Sequence, residues 1–331
     1  MGEEGKGQSG RKRTSMSGRG KSSLKRSLGI HSLYLLFRLW TIWVKHLPLE
    51  SLGFYGEKVG IVAFYLLGRT RKIALNNLHL ALGREKSEEG IKQICQDSFK
   101  NIGKDLIETL RFLDYDDNHL GTLTRIHGKE HLDQALRQGK GVIALTAHLG
   151  NFPLMSCRLV KEGYPLSVVV KLSNNPKIVK SITAFIDTIG LEFIPDKPRM
   201  SCVARCLNVL KENRILMNQI DLNAPVTEAW VDFFGYLVPT FKGPVVFSLR
   251  TGAPIVPMFI IRNAEQRHQI TIHPPFDLDV TEDKELDVTS NIARLTQMLE
   301  AVIREHPEQW WWVHRRFKRA RDIETGERLF S

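Results

Sequence analysis

His148 is the side chain in this sequence best placed to do chemistry. It ends the apolar run Val142 to Ala147 and is followed by Gly150, Asn151 and Pro153. A strand that runs into a histidine, a Gly-Asn turn and then a helix sets the imidazole at a carboxyl strand end, where α/β sheets collect their chemistry. Asn151 suits the N-cap of that helix, and Pro153 is at home in its first turn. The positive end of a helix dipole favours a neutral imidazole, and only the neutral form can act as a general base. His127, His131 and His273 stand alone and are read as structural. Cys202 and Cys206 lack a second ligand pair at finger spacing, which argues against zinc. There is no Gly-rich phosphate loop, no Gly-x-Ser-x-Gly elbow and no His-Glu-x-x-His helix. Nucleotide cofactors, α/β-hydrolase chemistry and zinc peptidase chemistry are therefore set aside.

The elements around His148 follow from periodicity. Short apolar runs predict strands at 123–127, 142–147, 166–170, 215–220, 230–234, 255–261 and 269–273. Helices are predicted at 129–138, 153–162, 176–189, 200–212 and 243–251. This alternation predicts an α/β domain with a mixed, largely parallel sheet covered by helices. Before it, Ser87 with Glu88 and Glu89 forms a helix start, and Ile91, Ile94, Cys95, Phe99, Ile102, Leu106 and Leu110 recur at helical spacing.

The chain has 331 residues, 42% apolar and 25% charged, which excludes wholesale disorder, fibrous repeats and a multi-span membrane protein. Four cysteines do not make a secreted disulfide framework. The net charge is +11, and eight Lys/Arg against two Glu fall within residues 1–27. That segment is rich in Gly and Ser and reads as a disordered basic arm. With most of the excess in the arm, a nucleic-acid partner is not expected. Residues 30–49 then combine bulky apolar residues with Trp40 and Trp43, interrupted by Arg38 and Lys45. A marginal span and an interfacial helix both fit. A second run, Val59 to Leu67, is too short to span. Arm, aromatic helix and apolar helix in series predict attachment to membrane lipids. The expected organisation is arm 1–27, membrane-attached helical region 28–114, α/β domain 115–321 and tail 322–331.

The stretch from His148 resembles the lipid A late acyltransferases, the lauroyl and myristoyl transferases of Gram-negative bacteria. Their motif is a His followed, after four residues, by Glu or Asp. Further blocks carry the resemblance: Lys171-Leu-Ser-Asn-Asn-Pro176, then Gln219-Ile-Asp221 with Val231-Asp-Phe-Phe-Gly235. Lys242-Gly-Pro through Leu249-Arg-Thr-Gly-Ala-Pro-Ile-Val-Pro257, with Arg262, is another. Pro307-Glu-Gln-Trp310-Trp-Trp-Val-His-Arg-Arg316 closes the series, and Arg71-Lys-Ile-Ala-Leu-Asn76 adds an amino-terminal block. The resemblance covers about residues 30 to 321.

It implies a glycerol-phosphate-acyltransferase-like fold and an O-acyltransferase on the cytoplasmic face of the inner membrane. The donor would be an acyl carrier protein thioester and the acceptor a glycolipid hydroxyl, with no metal or nucleotide cofactor. His148 would be the base, held by a carboxylate in the right tautomer. Gly150 and Asn151 would shape the turn, and backbone N–H groups around 150–152 could bind the oxyanion. Lys171, Arg250, Arg262, Arg315 and Arg316 would hold phosphate or carrier. The run His314 to Arg321 could receive an acidic carrier. Trp310, Trp311 and Trp312 would pack the core, line an acyl groove or meet the interface.

One departure stands out. The motif acid falls at position 153, which is Pro153. Asp221 or Asp232, both ending predicted strands, could replace it; His148 could work unaided; or catalysis could have lapsed and a lipid-binding scaffold remained. A different lipid acceptor, an aminolipid or phosphoglycolipid, also fits.

Overall fold

In the computed structural model the described residues are Leu35, 39–171 and 175–329. The basic arm and much of the stretch from Ile30 to Arg38 lie outside them. Residues 39–45 are helical, followed by α1 (Leu52–Leu66), α2 (Gly68–Leu82) and α3 (Glu88–Leu110). Ser87 caps α3 as expected, its hydroxyl accepting the Gly90 N–H at 3.2 Å. α1 buries Leu52, Gly56, Gly60 and Phe64, which recur at a spacing of four along one helical face. A Cβ on Gly60 would sit 2.2 Å from Phe99 O, and one on Gly56 2.5 Å from Lys104 Cα, so the α1 and α3 backbones touch. That crossing leaves the other face of α1 outward, with Phe54, Val62, Tyr65 and Leu66 exposed. Leu39, Ile42 and Trp43 are exposed as well. No described helix is long and apolar enough to cross a membrane.

The body begins with α4 (Asp117–Leu123) and β1 (Thr124–His127), then α5 (Lys129–Leu136) and β2 (Val142–Thr146). α6 (Phe152–Lys161), β3 (Leu166–Val170), α7 (Pro176–Ile189), β4 (Glu192–Pro195), α8 (Arg199–Lys211) and β5 (Ile215–Gln219) follow. Next come β6 (Ala229–Phe233), β7 (Tyr236–Thr240), α9 (Gly243–Thr251), β8 (Ile255–Arg262), β9 (His268–Ile272), α10 (Lys284–Glu305) and β10 (Arg321–Asp322). Seven strands form one sheet in the order β1-β9-β8-β2-β5-β3-β4, parallel except for the β8–β9 pair. The mixed, largely parallel α/β class is therefore as expected. β2 lies at its centre and is buried along its whole length. Its side chains alternate, Ile143 and Leu145 joining one core and Val142 and Ala144 the other, as period-2 geometry requires of a strand covered on both faces.

Two differences from the sequence reading matter. β6 is not in this sheet: it pairs antiparallel with β7, which pairs with β10, in a separate three-stranded sheet. β4, β7 and α10 carried no assignment; Pro195 and Pro239 interrupt the strand signal, and both strands are short.

Candidate active site

β2 and β5 are neighbours, and their register pairs Thr146 with Gln219. Two residues beyond each lie His148 and Asp221, which therefore emerge side by side from the carboxyl edge. His148 Nδ1 is 2.9 Å from Asp221 Oδ1, and the His148 backbone N–H donates to Asp221 Oδ2 at 2.8 Å. Trp310 Nε1 donates to the same Oδ2 at 2.8 Å. Asp221 is buried. Burial pushes its carboxyl pKa up, but the imidazole and these three contacts outweigh that and hold it at about 2. The carboxylate is thus ionised and accepts the Nδ1 proton, which leaves the His148 Nε2 lone pair for chemistry.

An aromatic wall surrounds the imidazole. The rings of Phe152, His314 and Trp311 have their centroids 4.8, 5.1 and 5.9 Å from it. Trp311 stacks on His314, and its backbone N–H donates to His148 O at 3.0 Å. Burial beside His148 pushes the His314 pKa down to about 4, so that ring is neutral at pH 7. His314 Nε2 and Trp311 Nε1 are both buried without a hydrogen-bond partner. Buried polar nitrogens left unpaired are uncommon, and here two of them flank the imidazole. The sequence places His314 in a carrier-docking run and does not separate Trp311 from Trp310 and Trp312. The tryptophans in fact separate: Trp310 and Trp312 are fully buried and pack edge to face at 4.5 Å, while Trp311 stands at the imidazole.

The turn after β2 is built from the residues named in the sequence. Gly150 has φ +54°, and a Cβ there would lie 2.0 Å from Ile260 O. Its N–H donates to Gln309 O at 2.9 Å, so it is not free to bind an oxyanion. Gly150→Ala is expected to cost at least about 1–3 kcal/mol from backbone strain alone and to displace His148. A lowered urea midpoint together with a lowered kcat is the check. Asn151 is wholly buried and caps α6, its Oδ1 accepting from Leu154 N at 3.1 Å and Thr109 Oγ1 at 2.8 Å. Its Nδ2 donates to Glu108 Oε2 at 3.1 Å. Both residues shape the turn, and neither offers a spare polar atom from its side chain to a substrate.

The remaining expectations divide. Asp232 is not near His148: it lies on β6 in the second sheet, exposed, and accepts the Gly235 N–H at 2.8 Å to close a hairpin. Arg262, expected at a phosphate, is buried between Asp105 (2.5 Å) and Glu108 (2.6 Å) on α3. Arg316 is also buried, donating to Leu222 O at 2.7 Å, Pro239 O at 2.8 Å and Thr240 Oγ1 at 2.6 Å. It fixes the loop that follows Asp221. Arg250 is exposed in the last turn of α9, just before β8 starts at the opposite edge of the sheet. Lys171 is exposed and follows β3 at the same edge as His148. Arg315 is exposed beside His314.

One acid cluster has ligand-like geometry: Asp105, Glu108 and His268 converge within 4.8 Å. Its positive charge is supplied by the Arg262 guanidinium, which bridges both carboxylates, with His268 Nε2 2.9 Å from Glu108 Oε2. Burial pushes the Glu108 carboxyl up, but Arg262 and His268 outweigh it and hold it far below the usual range. A buried, bidentate Arg leaves those oxygens poorly suited to a metal.

A histidine whose Nδ1 faces a buried carboxylate, inside an aromatic wall, is able to accept a proton at Nε2. The bacterial lipid A biosynthesis acyltransferase family matches residues 18–319. The lipid A biosynthesis palmitoleoyltransferase of Escherichia coli is 25% identical over 288 residues, covering 85% of this chain and 88% of that one. The E. coli lipid A biosynthesis lauroyltransferase is 24% identical over 300 residues, covering 85% and 92%. A phosphatidylinositol mannoside acyltransferase of Mycolicibacterium smegmatis is 23% identical over 207 residues, covering 61% and 65%. A solved 1-acyl-sn-glycerophosphate acyltransferase from Thermotoga maritima is similar at a TM-score of 0.37 and 13% identity, covering 78% of this chain and 96% of that one. The architecture is given by the strand order itself. With the family match spanning nearly the whole chain, this protein is an acyltransferase and belongs to the bacterial lipid A biosynthesis acyltransferase family.

Proposed function

We propose that the protein transfers a fatty acyl chain from an acyl carrier protein thioester to a hydroxyl of a lipid A precursor, with His148 as general base. The observation that carries this reading is the imidazole's orientation: Asp221 Oδ1 takes Nδ1 at 2.9 Å, leaving Nε2 to accept a proton. The acceptor oxygen attacks the thioester carbonyl carbon while its proton passes to Nε2. The tetrahedral intermediate collapses by breaking the C–S bond, and the imidazolium returns the proton to sulfur. The products are an ester and the carrier thiol. The unpartnered Trp311 Nε1–H, and His314 in the neutral tautomer that carries its proton on Nε2, donate to the oxyanion. Pro153 takes no part, because Asp221 already fills the orienting role that the resemblance assigned to position 153.

The reading includes attachment to the cytoplasmic face of the inner membrane. Its support is the outward apolar row on α1, with Tyr65 63% and Leu66 78% exposed and Arg69 and Lys72 close behind. The carrier as donor rests on the family resemblance and on the protein's net charge of +11, which suits an acidic partner.

The test supplies the protein with carrier charged with fatty acids of several lengths and a tetra-acylated lipid A precursor, read by mass spectrometry. Wild type should add one acyl chain, and Pro153→Glu should show no gain over it. Transfer by Pro153→Glu alone would overturn the reading and mark a lapsed site. Transfer only to a phosphatidylinositol mannoside would overturn the acceptor and keep the chemistry.

A further inference from the structure

A cleft of about 720 Å³ opens between α2, β6 and the segment that follows His314. Arg69 and Lys72 line it from α2. Arg315, Lys318 and Arg319 face them, with Arg321 on β10 and Arg328 beyond it. No acidic side chain lines the cleft, and none of these cations forms an ion pair among the described residues. By comparison, Arg205, Arg262 and Arg304 each meet two carboxylates. Converging like charges repel one another, and an anion held among them relieves that repulsion. Arg321 lies over the Trp230 ring at 4.5 Å, and its Nε is buried without a partner.

Two neighbours say what kind of anion fits. Arg69 and Lys72 follow directly on Tyr65 and Leu66, the exposed apolar end of α1, and on exposed Leu67 just past it. A molecule with apolar chains and an anionic head matches that juxtaposition; a free anion makes no use of the apolar side. Neither His148 nor Asp221 lines the cleft, but two of its lining residues, Asn77 and Arg315, join it to the segment that packs against them. Asn77, which lines the cleft, donates to Trp312 O and His314 O. Arg315 is the residue after His314, whose ring is 5.1 Å from that of His148. Arg316 ties the same segment to Leu222 O, one residue past Asp221.

We propose that this cleft binds the phosphate groups of the acceptor glycolipid's headgroup and so sets its sugar hydroxyl against His148. The inference rests on the acyl-transfer reading above and deepens it. A phosphate monoester carries about −1.5 to −2 charges at pH 7, so one such group engages only part of the cleft's cations and a headgroup with two phosphates fits it better. Inner cations near His314 would select the reacting sugar, and outer ones on α2 would hold the lipid at its entry.

Arg69→Ala with Lys72→Ala tests this in the full chain, because both side chains are exposed and the change leaves the core untouched. The apparent KM for the tetra-acylated lipid A precursor should rise about tenfold, with kcat and the KM for the acyl donor little changed. The same precursor stripped of its phosphates should bind wild type and variant alike, and Arg69→Lys should restore much of the affinity. Rising ionic strength should weaken wild type toward the variant. An unchanged acceptor KM would overturn the proposal. So would a rise in the donor KM instead, which would make the cleft a carrier dock. Equal competition by phosphatidylglycerol vesicles would also overturn it, as a general membrane contact. Equilibrium binding of the phosphorylated and dephosphorylated precursor in detergent micelles is measured alongside. Phosphate-dependent binding lost in the variant supports the cleft even where no acyl group moves, and failed transfer then counts only against the catalytic reading.

Discussion

Asp221→Asn should lower kcat by about 10⁴-fold, as loss of the orienting carboxylate does in serine-protease triads. The amide has the same shape but an oxygen on only one side. Asp221 Oδ2 accepts two hydrogen bonds, from the His148 N–H and from Trp310 Nε1, so the amide oxygen will settle there. The NH₂ then faces His148 Nδ1, which must become an acceptor, and the ring proton moves to Nε2. The imidazole stays in place in the wrong tautomer. His148→Ala should cost about 10²–10⁴-fold through loss of the base itself. Because the two residues act as a unit, the double variant should be no slower than the worse single one. Additive losses, or an Asp221→Asn enzyme within about tenfold of wild type, would sink the dyad. Stability carries a second signature. With its pKa held at about 2 against an ordinary 3.8, Asp221 stabilises the fold fully above pH 3.8 and loses that contribution as pH falls toward 2. The urea-midpoint deficit of Asp221→Asn should accordingly be largest near neutrality and shrink through that window.

Arg262→Ala is expected to be the most damaging single change to stability, by about 3–5 kcal/mol. It strands Asp105 and Glu108, both buried, without the guanidinium that bridges them. The damage should reach the site through hydrogen bonds. Gln309 Oε1 accepts from Arg262 N at 2.8 Å, Gln309 O accepts from Gly150 N at 2.9 Å, and Glu108 accepts from Asn151 Nδ2 at 3.1 Å. Arg262→Lys keeps the charge and loses the fork, so it should fall between the two. Urea unfolding monitored by tryptophan fluorescence is the measurement. If Arg262→Ala left the midpoint unchanged and raised only a substrate KM, Arg262 would be a binding residue after all.

Much of the α/β body was legible because its strands and helices obey local rules. The run 142–146 is apolar on both faces, Ser87 and Asn151 carry capping side chains, and the helix over 176–189 has the spacing that predicted it. The short strands β4 and β7 were not, since four or five residues with a proline give periodicity little to act on. Cations were the least legible. Arg250, Arg262, Arg315 and Arg316 all lie in blocks that carry the family resemblance, yet two are buried, one faces the wrong edge and one lines a cleft. A guanidinium reads the same in sequence whether water or a carboxylate surrounds it.

By itself the sequence determined the class of the domain, the family resemblance and His148, because a strand, a turn glycine and a helix cap are encoded by neighbours in the chain. It could not choose between Asp221 and Asp232, since the sequence reads both as ending strands. Tertiary structure decided that. Only the strand order lays β5 against β2 in the register that brings position 221 to position 148, and sends β6 into another sheet. The unpaired cations from residues 69–72 and 315–328 were likewise brought together across more than 240 positions by packing of α2 on the carboxyl-terminal segment. Contacts between distant segments depend on the buried surface each can share, and no local pattern records which partner will win.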